Sequence, residues 1–298
     1  MAAPAEVGSE LRSVPVSTVT SGLQVSFEFF PPKSDEGAQR LRSTAAQLAR
    51  RSPHFFSVTY GAGGSTRERT LGAVLDLIAA GYPAAPHLSC IGASRAETAA
   101  LLQGWRERGI RRIVALRGDL PSGSVGLGDL RHASDLVAFI REQTGDHFHI
   151  EVACYPEVHP QARSARDDLL ALRRKVEAGA DSAITQYFFN ADAYLRFVDE
   201  ARAAGIGIPI IPGIMPIANF SQLARFSEAC GAEIPRWLRL RMQDLGDDAP
   251  AIRALGLDVV TDLCARLLAG GAPGLHFYTM NQAVLSDEIC NRLGIGQA

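Results

Sequence analysis

Several common signals are missing from this sequence, and each absence removes a class of function. No apolar run is long enough to cross a bilayer. The longest, residues 203–218, is interrupted by Pro209, Pro212 and Pro216 and falls short of the roughly 18–20 residues that a span requires. Charge of one sign is not in excess either: the net charge is −2 and the pI about 6.4, so neither a nucleic-acid nor an anionic-membrane partner is expected. The five cysteines, Cys90, Cys154, Cys230, Cys264 and Cys290, form no C-x-x-C pair and read as scattered reduced thiols of a cytoplasmic protein. Residues 1–22 contain Glu6 and Glu10 without a continuous apolar core, which excludes a signal peptide. They are expected to be a flexible leader, ahead of a single domain over 23–298.

Nucleotide and hydrolase motifs are equally scarce. Gly61-Ala62-Gly63-Gly64-Ser65-Thr66 has a phosphate-loop composition, but Thr66 stands where G-x-G-x-x-G needs its last glycine, and no Walker lysine follows. Any nucleotide must therefore bind in a non-Rossmann manner. No G-x-S-x-G is present, so a hydrolase elbow is not supported. The seven histidines are scattered, and no metal site is expected, because metals need convergent ligands.

What is present is strand–helix alternation. Eight short segments rich in β-branched or aromatic residues read as strands: Val25–Phe30, Phe55–Tyr60, Ala85–Ile91, Arg112–Gly118, His149–Tyr155, Ala183–Phe189, Pro209–Met215 and Leu275–Asn281. Between them lie amphipathic helical patterns, such as Leu71, Val74, Leu75 and Ile78, then Leu41, Ala45 and Leu48, and Tyr194, Phe197, Val198 and Ala201. Alternation of this kind means parallel pairing, and eight units in 298 residues predict an α/β fold, a single-domain (β/α)8 TIM barrel. A doubly wound open sheet is the alternative. The interval before the last strand is the longest and has room for extra helices.

A barrel of this kind carries its chemistry on the loops after the strands. Polar groups gather at those ends: Glu28, Thr59, Arg117 with Asp119, Tyr155 with His159, Gln186 and Asn281. In Val25-Ser26-Phe27-Glu28-Phe29-Phe30, alternation sends Val25, Phe27 and Phe29 to the outer helices. Ser26, Glu28 and Phe30 then point inward, with Glu28 near the top. Desolvation there is expected to raise its pKa above about 4.3. A structural ion-pair member and a reactive acid are equal readings of Glu28 from spacing alone. Gly118 lets the backbone turn between Arg117 and Asp119. His159 sits in a loop framed by Pro156 and Pro160. Asp168 and Lys175, seven residues apart on the next helix, share a face and with Arg174 could meet a phosphate-bearing ligand, although taken alone they read first as a solvated basic helix surface.

Taken together, eight segments in order resemble the methylenetetrahydrofolate reductase family from about Val25 onward. They are Phe27–Lys33, Ser57–Gly61, Ala85–Leu88, Ala115–Asp119, Tyr155–Pro160, Ala183–Phe189, Ile211–Ile214 and His276–Thr279. The resemblance implies a barrel that binds FAD and uses it to pass electrons from NADH or NADPH to a methylene-folate, the two substrates taking turns at one site. It implies Glu28 as general acid and Asp119 as the carboxylate beside flavin and folate that stabilises a cationic iminium. Thr59, His87, Arg117, Gly118, Asp119, Ala133, Tyr155, His159, Asp168, Arg174 and Lys175 match positions that hold FAD. Gln186, Gln222, Tyr278 and Gln282 match substrate positions, and Phe226 one that stacks on whichever substrate is bound. Relatives form homo-oligomers, so a homo-oligomer is expected.

Two departures stand out. Gln282 replaces an arginine that contacts folate in some relatives, and His132 replaces a tyrosine often found just before Ala133. Too little chain follows the eighth unit for the regulatory domain of eukaryotic relatives, so inhibition by S-adenosylmethionine is not expected. Two other classes are a flavin-free barrel lyase or aldolase using Lys33 or Lys175 as a Schiff-base amine, and a catalytically silent folate-binding barrel. Neither lysine ends a strand, and a silent barrel would not need Glu28.

Overall fold

The computed structural model of the protein describes residues 23–61, 66–118 and 128–296. The expected leader 1–22, most of the Gly61–Thr66 turn and Asp119 lie outside the described residues. The chain runs β1 (Gln24–Phe29), α1 (Asp35–Ala49), β2 (Phe55–Val58), α2 (Arg67–Ala79), β3 (Ala84–Ser89), α3 (Arg95–Glu107), β4 (Arg112–Leu116), α4 (Ala133–Thr144), β5 (His149–Cys154) and α5 (Ala165–Glu177). It continues through β6 (Ser182–Thr185), α6 (Ala191–Ala203), β7 (Ile210–Ile211), β8 (Gly213–Ile214), α7 (Phe220–Cys230), α8 (Arg236–Asp244), α9 (Ala249–Ala269), β9 (Gly274–Tyr278) and α10 (Val284–Arg292). The long interval before β9 thus holds three helices.

Every pairing is parallel, in the order β7-β6-β5-β4-β3-β2-β1-β9-β8. The two ends of that order are separated in sequence by Pro212 alone, so the sheet closes into the (β/α)8 barrel. The single seventh strand expected over Pro209–Met215 is instead two short pieces. Prolines lack the N–H a ladder needs; β7 pairs with β6 and β8 with β9. The Pro212 carbonyl accepts from His276 N on β9 at 3.0 Å, while Gly213 N still donates to Thr185 Oγ1 on β6 at 2.9 Å.

Strand alternation holds. Val25, Phe27 and Phe29 are buried against the helices, where Phe27 stacks on Phe56 and Phe277 with ring centroids 6.0 and 5.6 Å apart. The helical faces of α1 and α6 hold too. On α2 the buried face is Thr70, Ala73, Val74 and Leu77, one step round from the Leu71, Val74, Leu75, Ile78 stripe. Helical side chains lean toward the N-terminus, and here the small Ala73 lets the helix settle close to the strands, while Leu71 and Ile78 pack at its flanks.

Inside the barrel, Phe55, Ala85, Val114, Ile184 and Ile211 form an apolar middle layer. Below it, at the strands' N-terminal ends, Glu151 is buried against Arg112 Nη1 and Ser182 Oγ, with His149 Nε2 at 3.3 Å. Burial raises the Glu151 pKa, but the His149 contact, the Arg112 charge and the Ser182 hydroxyl outweigh it, and the net direction is down. A carboxyl depressed in the folded state stabilises above its unfolded pKa, and that contribution is lost as pH falls through the folded value. Glu151→Gln is therefore expected to cost on the order of 3–5 kcal/mol at neutral pH, because the half-buried Arg112 loses its carboxylate. Urea unfolding of both proteins at neutral pH and in acid checks this: the gap between them should narrow on acidification.

Candidate functional site

The strands' C-terminal ends open into one cleft of 560 Å³, lined among others by Glu28, Phe30, Thr59, His87, Tyr155, His159, Gln186, Phe226 and Tyr278. A second groove of 530 Å³ shares Tyr155 and His159 with it and continues past Arg117, Ala133, Asp168, Arg174 and Lys175. A small third notch, sharing Phe226 with the main cleft, holds Gln222 and Gln282. Residues expected at one rim are thus brought together, apart from Asp119, which is not described, and Gly118, which lines none of the three.

Gly118 serves the backbone. Its φ is +86°, and a Cβ there would stand 1.9 Å from Ser89 Oγ, the hydroxyl that donates to Arg117 O at 2.8 Å. Asp168 Oδ2 accepts from His159 N at 2.8 Å, so this side chain pins the Tyr155–Pro160 loop onto α5. Tyr155 and His159 meet edge to face, with centroids 4.5 Å apart. Lys175 Nζ donates to Ala153 O at 2.5 Å, and burial lowers its pKa. Lys33 lies in a separate notch between α1 and α2, away from the cleft.

At the floor of the cleft, Glu28 Oε2 lies 3.3 Å from His87 Nε2 and 3.5 Å from His276 Nε2. Both are ion-pair distances, and neither imidazole nitrogen has an aligned hydrogen-bond partner among the described residues. The expectation of a raised Glu28 pKa is overturned. Burial does raise it, but the charge of His87 and the contacts of both imidazoles outweigh burial and hold the carboxyl at about 2. Tyr278, beside it, moves the other way, pushed well up by burial and by Glu28; its hydroxyl donates to Thr185 O at 2.7 Å.

Sequence reasoning missed His276 as part of this site, and placed Asn281 at the strand ends without giving it a role. His276 precedes Tyr278 by two residues on β9, so alternation alone would have turned both inward. Asn281 ties the rim together: its Oδ1 accepts from Phe30 N at 2.7 Å and its Nδ2 donates to Phe30 O at 3.0 Å. Thr279 bonds the Glu28 carbonyl through its N–H at 3.3 Å and its hydroxyl at 2.6 Å. The top of β1, on either side of Glu28, is thereby fastened to the loop after β9.

The fold and this cleft define a barrel enzyme, with its polar centre at the C-terminal ends of the strands. Residues 17–294 match the family described as Methylenetetrahydrofolate reductase. The 5,10-methylenetetrahydrofolate reductases of Salmonella typhimurium and Escherichia coli are each 44% identical over 281 residues, covering 94% of this chain and 94% of each relative. The chain belongs to the methylenetetrahydrofolate reductase family. Among solved structures, an uncharacterised protein from Clostridium thermocellum that binds two copies of 5-methyl-5,6,7,8-tetrahydrofolic acid superposes with a TM-score of 0.64 at 16% identity, covering 92% of this chain and 94% of that one. That likeness shows the shared barrel alone. No helix among the described residues is long and apolar enough to cross a membrane.

Asn281 sits at φ +58°, a left-handed conformation that asparagine tolerates better than alanine. Asn281→Gly removes the two Phe30 bonds without adding strain, whereas Asn281→Ala does both. Both variants should speed amide exchange at Phe30 and lower stability by about 1–3 kcal/mol, alanine more than glycine. Wild-type exchange at Phe30 in the glycine variant would show that the clamp contributes nothing.

Proposed function

We propose that this chain is a flavin-linked methylenetetrahydrofolate reductase, an oxidoreductase that binds FAD and uses NADH or NADPH to reduce 5,10-methylenetetrahydrofolate to 5-methyltetrahydrofolate. The observation that carries the reading is Glu28, a carboxylate held between two imidazoles at the floor of a cleft that continues into a groove edged with cations. The folate-reducing activity is the one its relatives are named for.

The second groove suits a dinucleotide. Arg174, with no ion pair among the described residues, lines it together with Arg117 and Lys175, a donor set matched to a diphosphate. Ala133 begins α4, and a helix N-terminus favours anionic groups. Thr59, His87, Tyr155 and His159 extend the same surface into the main cleft, and Gly118 and Asp168 shape the two loops around it. When bound, FAD supplies a two-electron hydride carrier.

Glu28 delivers a proton to the amine nitrogen that leaves as the folate's five-membered ring opens, and the resulting iminium accepts a hydride. Asp119 is assigned to stabilise that cation. Gln186 and Tyr278 in the main cleft, and Gln222 and Gln282 in the adjoining notch, are assigned to the folate. Phe226, 37% exposed at the mouth, is a movable platform for either flat substrate in turn. The same reading places the enzyme in the cytoplasm as a homo-oligomer.

Purified protein incubated with FAD should turn yellow, bleach anaerobically with NADH or NADPH, and recover its colour with methylene-folate. A protein that takes up no FAD overturns the proposal. Glu28→Gln should separate the two half-reactions. Flavin bleaching needs no proton from Glu28 and should stay near the wild-type rate. The folate step should fall by about 10²–10⁴, the range of a positioned general acid. Equal losses in both steps, measured by stopped flow, would rule out the acid role.

A further inference from the structure

An acid held at low pKa must be loaded with its proton by something, and the described residues offer a second group behind Glu28. His276 is completely buried. Its Nε2 faces Glu28 Oε2 at 3.5 Å, and its Nδ1 lies 2.7 Å from Ser26 Oγ. The remaining ring surface is closed off: Phe55 stacks on it with centroids 6.0 Å apart, and Tyr278 meets it edge-on at 5.4 Å. The imidazole thus has two polar neighbours, Ser26 behind and Glu28 in front.

A serine hydroxyl can accept from a ring N–H. With Ser26 Oγ accepting from Nδ1–H in both proton states, Nε2 is the nitrogen left to exchange a proton with Glu28. His87 differs: it forms part of the cleft wall.

We propose that His276 is a positioning residue for the reaction, holding against Ser26 the proton that Glu28 passes to the substrate. This rests on the reading of Glu28 as the acid. The Nε2–H bond of the imidazolium breaks as the proton moves to Glu28. The Glu28 O–H bond breaks in turn as the proton reaches the leaving amine nitrogen. His276 ends neutral, with its Nδ1–H on Ser26 Oγ, and no electrons are exchanged within the relay. A proton from water in the emptied cleft reloads it through Glu28. The titratable groups facing this pair among the described residues are His87 on β3 and Tyr278 on β9, with Arg112 on β4 behind the Phe55 ring, 4.6 Å from its centroid.

Two measurements test the relay. The first needs neither flavin nor folate: nitrogen-15 spectra of the histidine side chains, recorded at one neutral pH, should show the Nε2 resonance of His276 displaced in Glu28→Gln relative to wild type; an unchanged His276 Nε2 resonance overturns the proposal. The second uses the flavin-loaded enzyme. Ser26→Ala should slow the folate step about tenfold or more and displace the midpoint of its pH–rate profile, with flavin bleaching unchanged and the melting temperature lowered, because the buried His276 Nδ1 loses its partner. Ser26→Thr, which keeps the hydroxyl, should restore both. A Ser26→Ala profile that superimposes on wild type overturns the relay. If instead Glu28→Gln leaves the folate step intact, it is the acid reading itself that fails.

Discussion

Placing a carboxylate inside a barrel costs several kcal/mol unless opposite charge and hydrogen-bond donors meet it there. Glu28 is met by two imidazoles from two other strands, and that contact constrains most of what surrounds it. β3 must bring His87 inward on one side. β9 must pair with β1 in the register that sets Ser26 opposite His276 and Glu28 opposite Tyr278. A slip of one residue would turn His276 and Tyr278 to the helices. Thr279 and Asn281 then lock the end of β1, so the carboxylate keeps its place at the floor of an open cleft.

The barrel buries charge at both ends, and it does so differently. Glu151 at the N-terminal ends of the strands is satisfied by an arginine, a histidine and a serine, a closed network that leaves nothing for a ligand. Glu28 is met, among the described residues, by two imidazole nitrogens that lack aligned partners. The apolar layer of Phe55, Ala85, Val114, Ile184 and Ile211 lies between the two ends. One end is a plug and the other a site, and the difference lies in which hydrogen-bonding capacity is left unused.

Much of this was legible in the sequence because it depends on local period. Alternation in β1 sorted Val25, Phe27 and Phe29 from Ser26 and Glu28, and strand–helix alternation gave the barrel. The seventh strand was not legible as two pieces, since prolines at 209, 212 and 216 break a ladder without saying which neighbour each remaining group will choose. The phase of α2 was missed because Leu71, Leu75 and Ile78 outweigh Ala73 in any hydrophobic count, whereas close packing on a strand favours the small residue. The direction of the Glu28 pKa was missed for a different reason. Burial is a property of one strand, but the imidazoles that reverse its effect come from β3 and β9, and their convergence is a property of the closed barrel.

That closure has a consequence for the timing of synthesis. Ser26 and His276 are 250 residues apart, and the pairing of β1 with β9 joins the first described strand to the last. While the chain is being made, Glu28 emerges early and has no imidazole from β9 to face until nearly the whole sequence has left the ribosome. Such distant pairings are entropically expensive and form late. A nascent chain can therefore assemble most of its helices and strands while remaining chemically inert, and the acid centre comes into being in the same step that makes the barrel a closed object.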